Sequence, residues 1–327
     1  MFDPYYIGLF QEADFLEGYE QGKTEEEIIG QSSACKALEA DGYFPDAYVG
    51  SPGAMIYDHI REKGVVAYKK QLAQDVLNFE SEEMNIPSTR SFAFVTKELA
   101  ALVNHYAAKY GCRSLLQLNA DDSRAGIAQY IPDSMRYTGY SEQKERCDLA
   151  NLYLKLINKG NGSVHLHSQS DRIPESDICI GGQQVSQWTV ISHFREKDLP
   201  DMLASARDIV FYAFRAFWSN GAANTLNETI YTALLEEDLI DTVLTWCHER
   251  LLIINKNKLH KGYVRFVNAC DLTIHENYKD RVDTDRLIER LEDTTADNDK
   301  SFMVSNQTIL DHHAILTEET YIEPKKQ

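Results

Sequence analysis

Three segments of the sequence combine residue types that could carry a reaction. Cys179 precedes two glycines and Gln184, and an apolar run after them predicts a strand over 187–194. A thiol attacks electrophilic carbon once a nearby cation lowers its pKa. Arg195 and Asp198 follow that predicted strand. Because a guanidinium can hold an anion through paired hydrogen bonds, these two segments indicate a nucleophile beside an anion site.

The third segment follows a strand predicted over 263–267. Thr273, His275 and Asn277 alternate along it, and alternate residues of an extended chain share one side. Taken singly, each of the three segments also has a purely structural interpretation: a buried cysteine, an ion pair at a strand end, or a polar strand edge. Their significance therefore depends on whether they act together.

The order and internal spacing of the three segments resemble those of the thymidylate synthase family, which includes the pyrimidine nucleotide hydroxymethylases. Cys179 and Gln184 keep that family's five-residue spacing, and Arg195 and Asp198 keep its Arg-x-x-Asp pattern. Residues 270–278 match its last motif in order and register. Two earlier segments extend the resemblance over residues 55–285; they are 55–64 and 94–99.

This resemblance implies covalent catalysis on a pyrimidine nucleotide. Cys179 would add to C6 of the base, so that C5 attacks a one-carbon unit carried by 5,10-methylenetetrahydrofolate. Arg195 would bind the phosphate and lower the thiol pKa, and Glu98 would move protons through water. The substrate-binding positions that the resemblance implies are Arg195, Gln184, Asp198, Asp208, Thr273 and His275. The resemblance implies no metal.

The identity of Asp208 bears on the choice of base. The family has an asparagine near this position, whose amide can both donate to and accept from uracil. A carboxylate instead accepts a hydrogen bond from the amino group of cytosine. The resemblance therefore favours a C5 hydroxymethyltransferase of a cytosine nucleotide, ahead of a methyltransferase of a uracil nucleotide.

Two further interpretations stay open. The family's phosphate-binding elements are replaced here by residues 66–70 and 163–165, which is compatible with a catalytically silent relative retained for binding or assembly. A metalloenzyme is the other alternative, because two histidines spaced i and i+2 on a strand share one face. The histidines concerned are His165 and His167, together with His193 or with His312 and His313.

The hydrophobic pattern predicts strands that alternate with long helices. Helices are predicted over 92–110, 142–158, 209–218 and 226–254, and strands over 163–167, 187–194 and 263–267. The stretch 209–218 is apolar on most sides, which predicts a buried helix. The pattern indicates an α/β (α+β) fold. The resemblance implies a thymidylate-synthase-like mixed sheet packed against long helices, in a homodimer.

Composition limits the class of protein. The chain has 327 residues, and 33 Lys and Arg against 51 Asp and Glu give a net charge of −18. This acidity argues against binding of polymeric nucleic acid, which needs a basic face. Residues 1–50 are expected to form an acidic extension, 51–291 the catalytic domain and 292–327 a loosely structured polar tail. With six widely spaced cysteines, no leader pattern and no long apolar run, the sequence predicts a cytoplasmic protein without a membrane segment.

Overall fold

The computed structural model describes residues 4–40, 52–83, 97–118, 124–141, 143–167, 173–182, 198–215, 224–246, 249–276, 279–294 and 298–322. The helices are α1 (Pro4–Glu20), α2 (Glu25–Gln31), α3 (Ser33–Ala40), α4 (Pro52–Lys63), α5 (Val65–Glu83), α6 (Lys97–Tyr110), α7 (Lys144–Leu156), α8 (Asp198–Ser205), α9 (Asn224–Glu236), α10 (Thr284–Glu292) and α11 (Asn306–Asp311). None of these helices has the length and apolar character of a membrane span.

One nine-stranded sheet organises the molecule. Its strands are β1 (Ser114–Gln117), β2 (Arg136–Ser141), β3 (Gly162–Leu166), β4 (Ser176–Gly182), β5 (Ala206–Arg215), β6 (Ile240–Trp246), β7 (Glu249–Asn255), β8 (Tyr263–Asn268) and β11 (Ser301–Ser305). Their order is β3-β2-β1-β4-β5-β7-β6-β8-β11. A separate antiparallel pair consists of β9 (Thr273–Glu276) and β10 (Lys279–Val282).

The strand order reverses direction next to β1. β1 pairs in parallel with β2 on one side and with β4 on the other, and β5 continues in parallel beyond β4. β7 runs antiparallel to both β5 and β6, whereas β6 and β8 are parallel. The order 3-2-1-4-5 is that of a Rossmann-like sheet, in which ligands bind outside the carboxyl ends of the strands at the reversal point.

Each face of the sheet carries its own core. Leu115 and Ile178 face one side, where they pack with α6, α7 and the N-terminal helices. Leu116 and Cys179 face the other side, where α8, α9 and α11 cover the sheet. Because side chains alternate along a strand, neighbouring apolar residues of β1 and β4 serve different cores. The middle residues of these central strands are therefore apolar on both faces, as is usual for parallel strands.

Residues 4–40 form part of the first core. Phe15 and Leu16 of α1 are buried and belong to the same apolar cluster as residues of α6 and α7. α2 begins with a capping box, in which the Thr24 side chain accepts from the Glu27 N–H and the Glu27 carboxylate accepts from the Thr24 N–H. This acidic segment therefore folds into regular helices and contributes apolar residues to the core.

Several sequence-based expectations about elements are confirmed. The described part of the helix predicted over 92–110 is α6, and the helix predicted over 142–158 is α7. The strands predicted over 163–167 and 263–267 are β3 and β8. The strand predicted over 187–194 lies outside the described residues. The α/β class is also confirmed, whereas the sheet is Rossmann-like rather than thymidylate-synthase-like.

Three expectations were wrong. The apolar stretch 209–218 was predicted as a helix, but its described part, 209–215, belongs to β5, because a strand buried on both faces is as uniformly apolar as a buried helix. Helices were predicted throughout 226–254, whereas α9 ends at Glu236 and is followed by β6 and β7. The polar tail expected to have loose structure contains β11 and α11, since an edge strand needs few apolar residues.

The guanidinium of Arg265 joins three parts of the chain. Arg265 lies on β8 and is 5% exposed. It donates to the carbonyls of Arg290 at 2.8 Å, Leu291 at 2.9 Å and Asp293, all at the end of α10. It also donates to the Ser301 hydroxyl of β11. Since the last carbonyls of a helix have no partner within it, Arg265 satisfies groups that would otherwise be buried and unpaired.

Replacing Arg265 should therefore be costly. We expect Arg265→Met to lower the free energy of unfolding by about 3 kcal/mol, because it leaves several buried acceptors without a donor. Arg61→Met is the matched control, since Arg61 is exposed and pairs with exposed Asp58; its cost should stay below about 0.5 kcal/mol. Urea unfolding of both variants measures the difference. Equal costs would contradict this account of Arg265.

Asn151 of α7 occupies the outer edge of β3. Its side-chain amide donates to the Val164 carbonyl at 2.7 Å and its side-chain oxygen accepts from the Val164 N–H at 2.9 Å. These are the bonds that a further strand would make. The amide therefore blocks an edge that could otherwise pair with another chain.

Removal of this amide should expose the edge. We expect Asn151→Ala to increase self-association relative to the unmodified chain and to lower the free energy of unfolding by about 1 kcal/mol. Lys155→Ala, one turn further along the exposed side of α7, is the control. Sedimentation velocity at several concentrations measures association. If the two variants sediment alike, Asn151 does not protect the edge.

Candidate ligand site at the carboxyl edge of the sheet

The strand order reverses at β1, so a ligand crevice is expected beyond the carboxyl ends of β1 and β4. The N–H of Leu118 donates to the carbonyl of Ile180 at 3.0 Å, just beyond the end of β1. After this bond the chain leaves β1 and β4 through residues 119–123 and 183–197, which lie outside the described residues. In open α/β sheets such a crevice is the usual place for a ligand.

Polar side chains hold the ends of β1 and β2 in position. Gln117, the last residue of β1, is 3% exposed, and its side-chain oxygen accepts from the Tyr137 hydroxyl at 2.8 Å. Ser141, the last residue of β2, is 1% exposed, and its hydroxyl accepts from the Gln143 N–H at 3.1 Å. The first bond connects β1 with β2, and the second connects the end of β2 with the start of α7. Together they hold the carboxyl ends of β1 and β2 in position.

The N-terminus of α6 reaches the same edge. The helix precedes β1 and packs beside the parallel strands, so its first turn lies near their carboxyl ends. Glu98 in that turn is 7% exposed, and burial raises the pKa of its carboxyl group, although Arg281 opposes this. Glu98 Oε1 lies 3.9 Å from Arg281 Nε on β10.

The β9–β10 pair is attached to the carboxyl end of β6. Trp246 donates its indole N–H to the Thr273 hydroxyl at 2.9 Å, and that hydroxyl donates to the Cys270 carbonyl at 2.8 Å. Arg281 stands opposite Ile274, between Thr273 and His275. The structure therefore brings three of the sequence-predicted site residues to one end of the molecule: Glu98, Thr273 and His275.

Glu318 is a buried acid that the sequence analysis missed. It is 3% exposed and accepts from the Thr245 hydroxyl at 2.6 Å and from the Asn268 side-chain amide at 3.1 Å. Both partners lie at the carboxyl ends of their strands, β6 and β8. Arg250 Nε is 4.0 Å from this carboxylate and has no hydrogen-bond partner among the described residues. The surrounding sequence is polar, so nothing local marks Glu318 as buried.

Cys179 lies in the middle of β4, away from any opening. It stands opposite Leu116 of β1 and Val210 of β5 and is fully buried. Burial raises the pKa of its thiol, so the reactive thiolate is disfavoured. The adjacent Gly181 makes room for a helix, since a Cβ there would lie 2.8 Å from the sulfur of Met202 on α8.

The remaining sequence-predicted residues are not gathered at this site. Asp208 lies near the start of β5, at the amino edge, where its carboxylate accepts from the Asn257 side-chain amide at 2.8 Å. Arg195 and Gln184 lie outside the described residues, and Asp198 begins α8. His193 also lies outside them. Within the described ranges, no three His, Cys, Asp or Glu side chains form a group that could hold a metal ion.

Comparison with known proteins identifies the fold. No family model matches the sequence, and no curated protein matches it. The methyltransferase subunit of a type I restriction-modification system from Streptococcus thermophilus has a similar structure, with a TM-score of 0.58 and 12% identity over 98% of this chain and 93% of that one. The chain shares the fold of Rossmann-like methyltransferases. At this identity the likeness establishes the fold and not the activity.

Two further structures are similar. A modification subunit of a proposed type I restriction enzyme from Vibrio vulnificus has a TM-score of 0.51 and 8% identity, over 78% of this chain and 65% of that one. A proposed class I S-adenosylmethionine-dependent methyltransferase from Listeria monocytogenes has a TM-score of 0.46 and 10% identity, over 79% and 85%.

The resemblance to thymidylate synthases was therefore wrong, and so were the activities drawn from it. The methyltransferase subunit from Streptococcus thermophilus and the modification subunit from Vibrio vulnificus share this chain's fold, which is not that of thymidylate synthase. This overturns folate as the carrier, a pyrimidine nucleotide as the substrate and C5 transfer as the reaction. Cys179 shows why covalent catalysis by this thiol is ruled out. It lies between β1 and β5 inside the central sheet and is fully buried, so a substrate cannot reach it. The short motifs matched in order, but the elements between them belong to another sheet topology.

Thiol reactivity tests this placement of Cys179. We expect iodoacetamide at pH 8 to modify half-buried Cys270 well before Cys179 in the native chain, since burial excludes the reagent and the raised pKa keeps the thiol protonated. Mass spectrometry of the digested protein measures both rates. Modification in urea is the control, because unfolding should make the two rates similar. Rapid native labelling of Cys179 would contradict its position in β4.

Proposed function

We propose that this chain binds S-adenosylmethionine at the carboxyl edge of β1, β2 and β4 and transfers its methyl group. The observation that supports this most is the reversal of strand order at β1 in a fold shared with a methyltransferase subunit over 98% of the chain. A sheet of this order offers a nucleoside-containing ligand one crevice, next to β1. When bound there, the cofactor would supply an electrophilic methyl group.

The residues at the edge fit this cofactor in two respects. The described pairing of β1 with β4 ends at the bond between Leu118 and Ile180, so it stops next to the expected crevice. Glu142 follows β2 directly in sequence, and an acid after this strand is the usual partner of the ribose hydroxyls in Rossmann-like folds. Glu142 itself lies outside the described residues. Gln117 and Ser141 would hold the ends of β1 and β2 in place for the ligand.

The first turn after β1 supports a second candidate function. A Rossmann-like turn usually contains glycines where the backbone approaches the ligand, but residues 118–125 contain none and Gly126 is the first. This composition is compatible with a subunit that keeps the fold for binding or assembly without transferring a methyl group. Only the methyltransferase would transfer methyl groups repeatedly, so a turnover assay distinguishes the two candidate functions.

As the methyl acceptor we propose a nucleic acid. The support is the likeness of fold to two subunits of restriction-modification systems. The net charge of −18 limits how such a substrate could be held, because contact with many phosphates needs a basic face. We therefore expect recognition through a small number of local contacts, or through a partner subunit that supplies the positive charge.

Binding of the cofactor can be measured on the intact chain. At S-adenosylmethionine concentrations of about 100 times Kd, we expect the free energy of unfolding to rise by about 2.7 kcal/mol, because the ligand binds only the folded state. Glu142→Gln should weaken binding about tenfold through loss of a charged hydrogen bond. Glu145→Gln, in the exposed first turn of α7, should leave the affinity unchanged. Calorimetry measures both affinities.

Turnover separates the two candidate functions. Transfer of tritium from labelled S-adenosylmethionine to single-stranded or double-stranded nucleic acid would support the methyltransferase. Binding of the cofactor without transfer to either acceptor would favour the silent subunit. If the chain binds no S-adenosylmethionine, both the cofactor site and the methyltransferase proposal fail.

A further inference from the structure

The outer face of β2 and β3 carries a cluster of aromatic rings beside the proposed cofactor site. Tyr140 stands opposite His165 in the sheet register, and their ring centroids are 5.6 Å apart. The ring of His167 lies 5.7 Å from Tyr140 at an interplanar angle of 77°. Three rings from two neighbouring strands thus form one surface, which we call the β2–β3 aromatic face.

This face is accessible. Alternation places it on the side of the sheet opposite α7, which packs on the other side of β3. His165 is exposed, whereas Tyr140 and His167 are half-buried. The residues that share the face are Arg136, Thr138 and Tyr140 on β2, Ser163 and His165 on β3, and His167 directly after β3. These six residues include no acid, although the whole chain has a net charge of −18.

The exposed imidazole is held in a defined orientation. Ser163 Oγ lies 2.8 Å from His165 Nε2, and Tyr140 supports the ring from the neighbouring strand. An exposed ring fixed in this way offers a flat surface for stacking. His167 Nδ1 is buried and has no hydrogen-bond partner among the described residues.

We propose that the β2–β3 aromatic face binds an unpaired nucleobase of a single-stranded nucleic acid. Bases stack on aromatic side chains whatever their sequence, and the exposed ring of His165 beside Tyr140 offers such a surface. Arg136 lies four residues from Tyr140 on the same face, about 13 Å along the strand. It gives a strand of several nucleotides a phosphate contact that a free nucleotide would lack. This proposal does not depend on methyl transfer.

A fluorescent base tests stacking directly. We expect a single-stranded 12-mer that contains one 2-aminopurine to lose fluorescence when the full chain binds it, because stacking quenches this base. With one arginine on the face, log Kd should change with log salt by a slope of about 1 or less. 2-Aminopurine nucleotide serves as the second probe. Tighter binding of the 12-mer supports a single strand, whereas equal binding supports a free nucleotide as the source of the base.

Variants on the two sides of β3 locate the bound base. His165→Ala should weaken binding of the 12-mer about tenfold and abolish quenching, whereas His165→Phe should keep both because it retains a ring. Leu166→Ala is the matched control, since Leu166 is the next residue, is 50% exposed and points to the opposite face. Circular dichroism shows whether each variant is folded.

Three results would overturn the proposal. The first is a folded native chain that quenches neither probe. The second is a loss of binding in Leu166→Ala as large as that in His165→Ala. The third is displacement of the bound base by S-adenosylmethionine, which would put the base in the cofactor site. The quenching and affinity measurements use no cofactor, and only the displacement experiment does, so the first two results can be interpreted even if the methyltransferase proposal fails.

Discussion

The parallel pairing of β1 with both β2 and β4 is the constraint on which the rest of the structure depends. A strand in this position is covered on both faces, so the residues in its middle must be apolar whichever face they point to. Leu115 and Leu116 meet this requirement by serving opposite cores. The reversal at β1 also determines where such a sheet usually binds a ligand, which is outside the carboxyl ends of β1 and β4. The two cores and the candidate site therefore have a common origin in one pairing pattern.

Buried charged side chains connect segments of the chain that the pairing of strands does not connect. Lys258, whose side chain is fully buried, donates to the carbonyls of Ile240 and Tyr263 and pairs with Asp238. Lys159 donates to the Ile131 carbonyl at 2.7 Å. Like Arg265, these cations satisfy carbonyls at turns and at the ends of elements. Since burying a charge is costly unless it is fully bonded, they favour one arrangement of the chain over its alternatives.

The elements that the sequence predicted well are those with a clear period. α6, α7, β3 and β8 have apolar residues at helical or alternating spacing, and they lie close to where they were expected. β5 has no such period, because both of its faces are buried, and length alone could not separate it from a helix. β11 and Glu318 depend on partners far away in sequence, which local composition does not reveal.

Of the residues predicted for the site, some lie at the carboxyl edge of the sheet and others do not. Glu98 and Thr273 lie at the carboxyl edge, whereas Asp208 lies at the amino edge and Cys179 inside the sheet. All four residues belong to motifs that follow one another along the chain in the order of the thymidylate synthase family. Order along the chain, however, does not determine which end of a strand a residue occupies. That depends on strand direction and sheet order, which arise from long-range pairing.

The central pairing of the sheet joins parts of the chain that are far apart in sequence. Leu115 of β1 is paired with Ile178 of β4, which lies 63 residues further along the chain. β2, α7 and β3 lie between them in the chain. Closing a loop of this length costs chain entropy before the contact contributes any stability, and such non-local pairing slows folding. The pairing that organises the native sheet is therefore expected to form late in folding, after local elements such as α6 and α7.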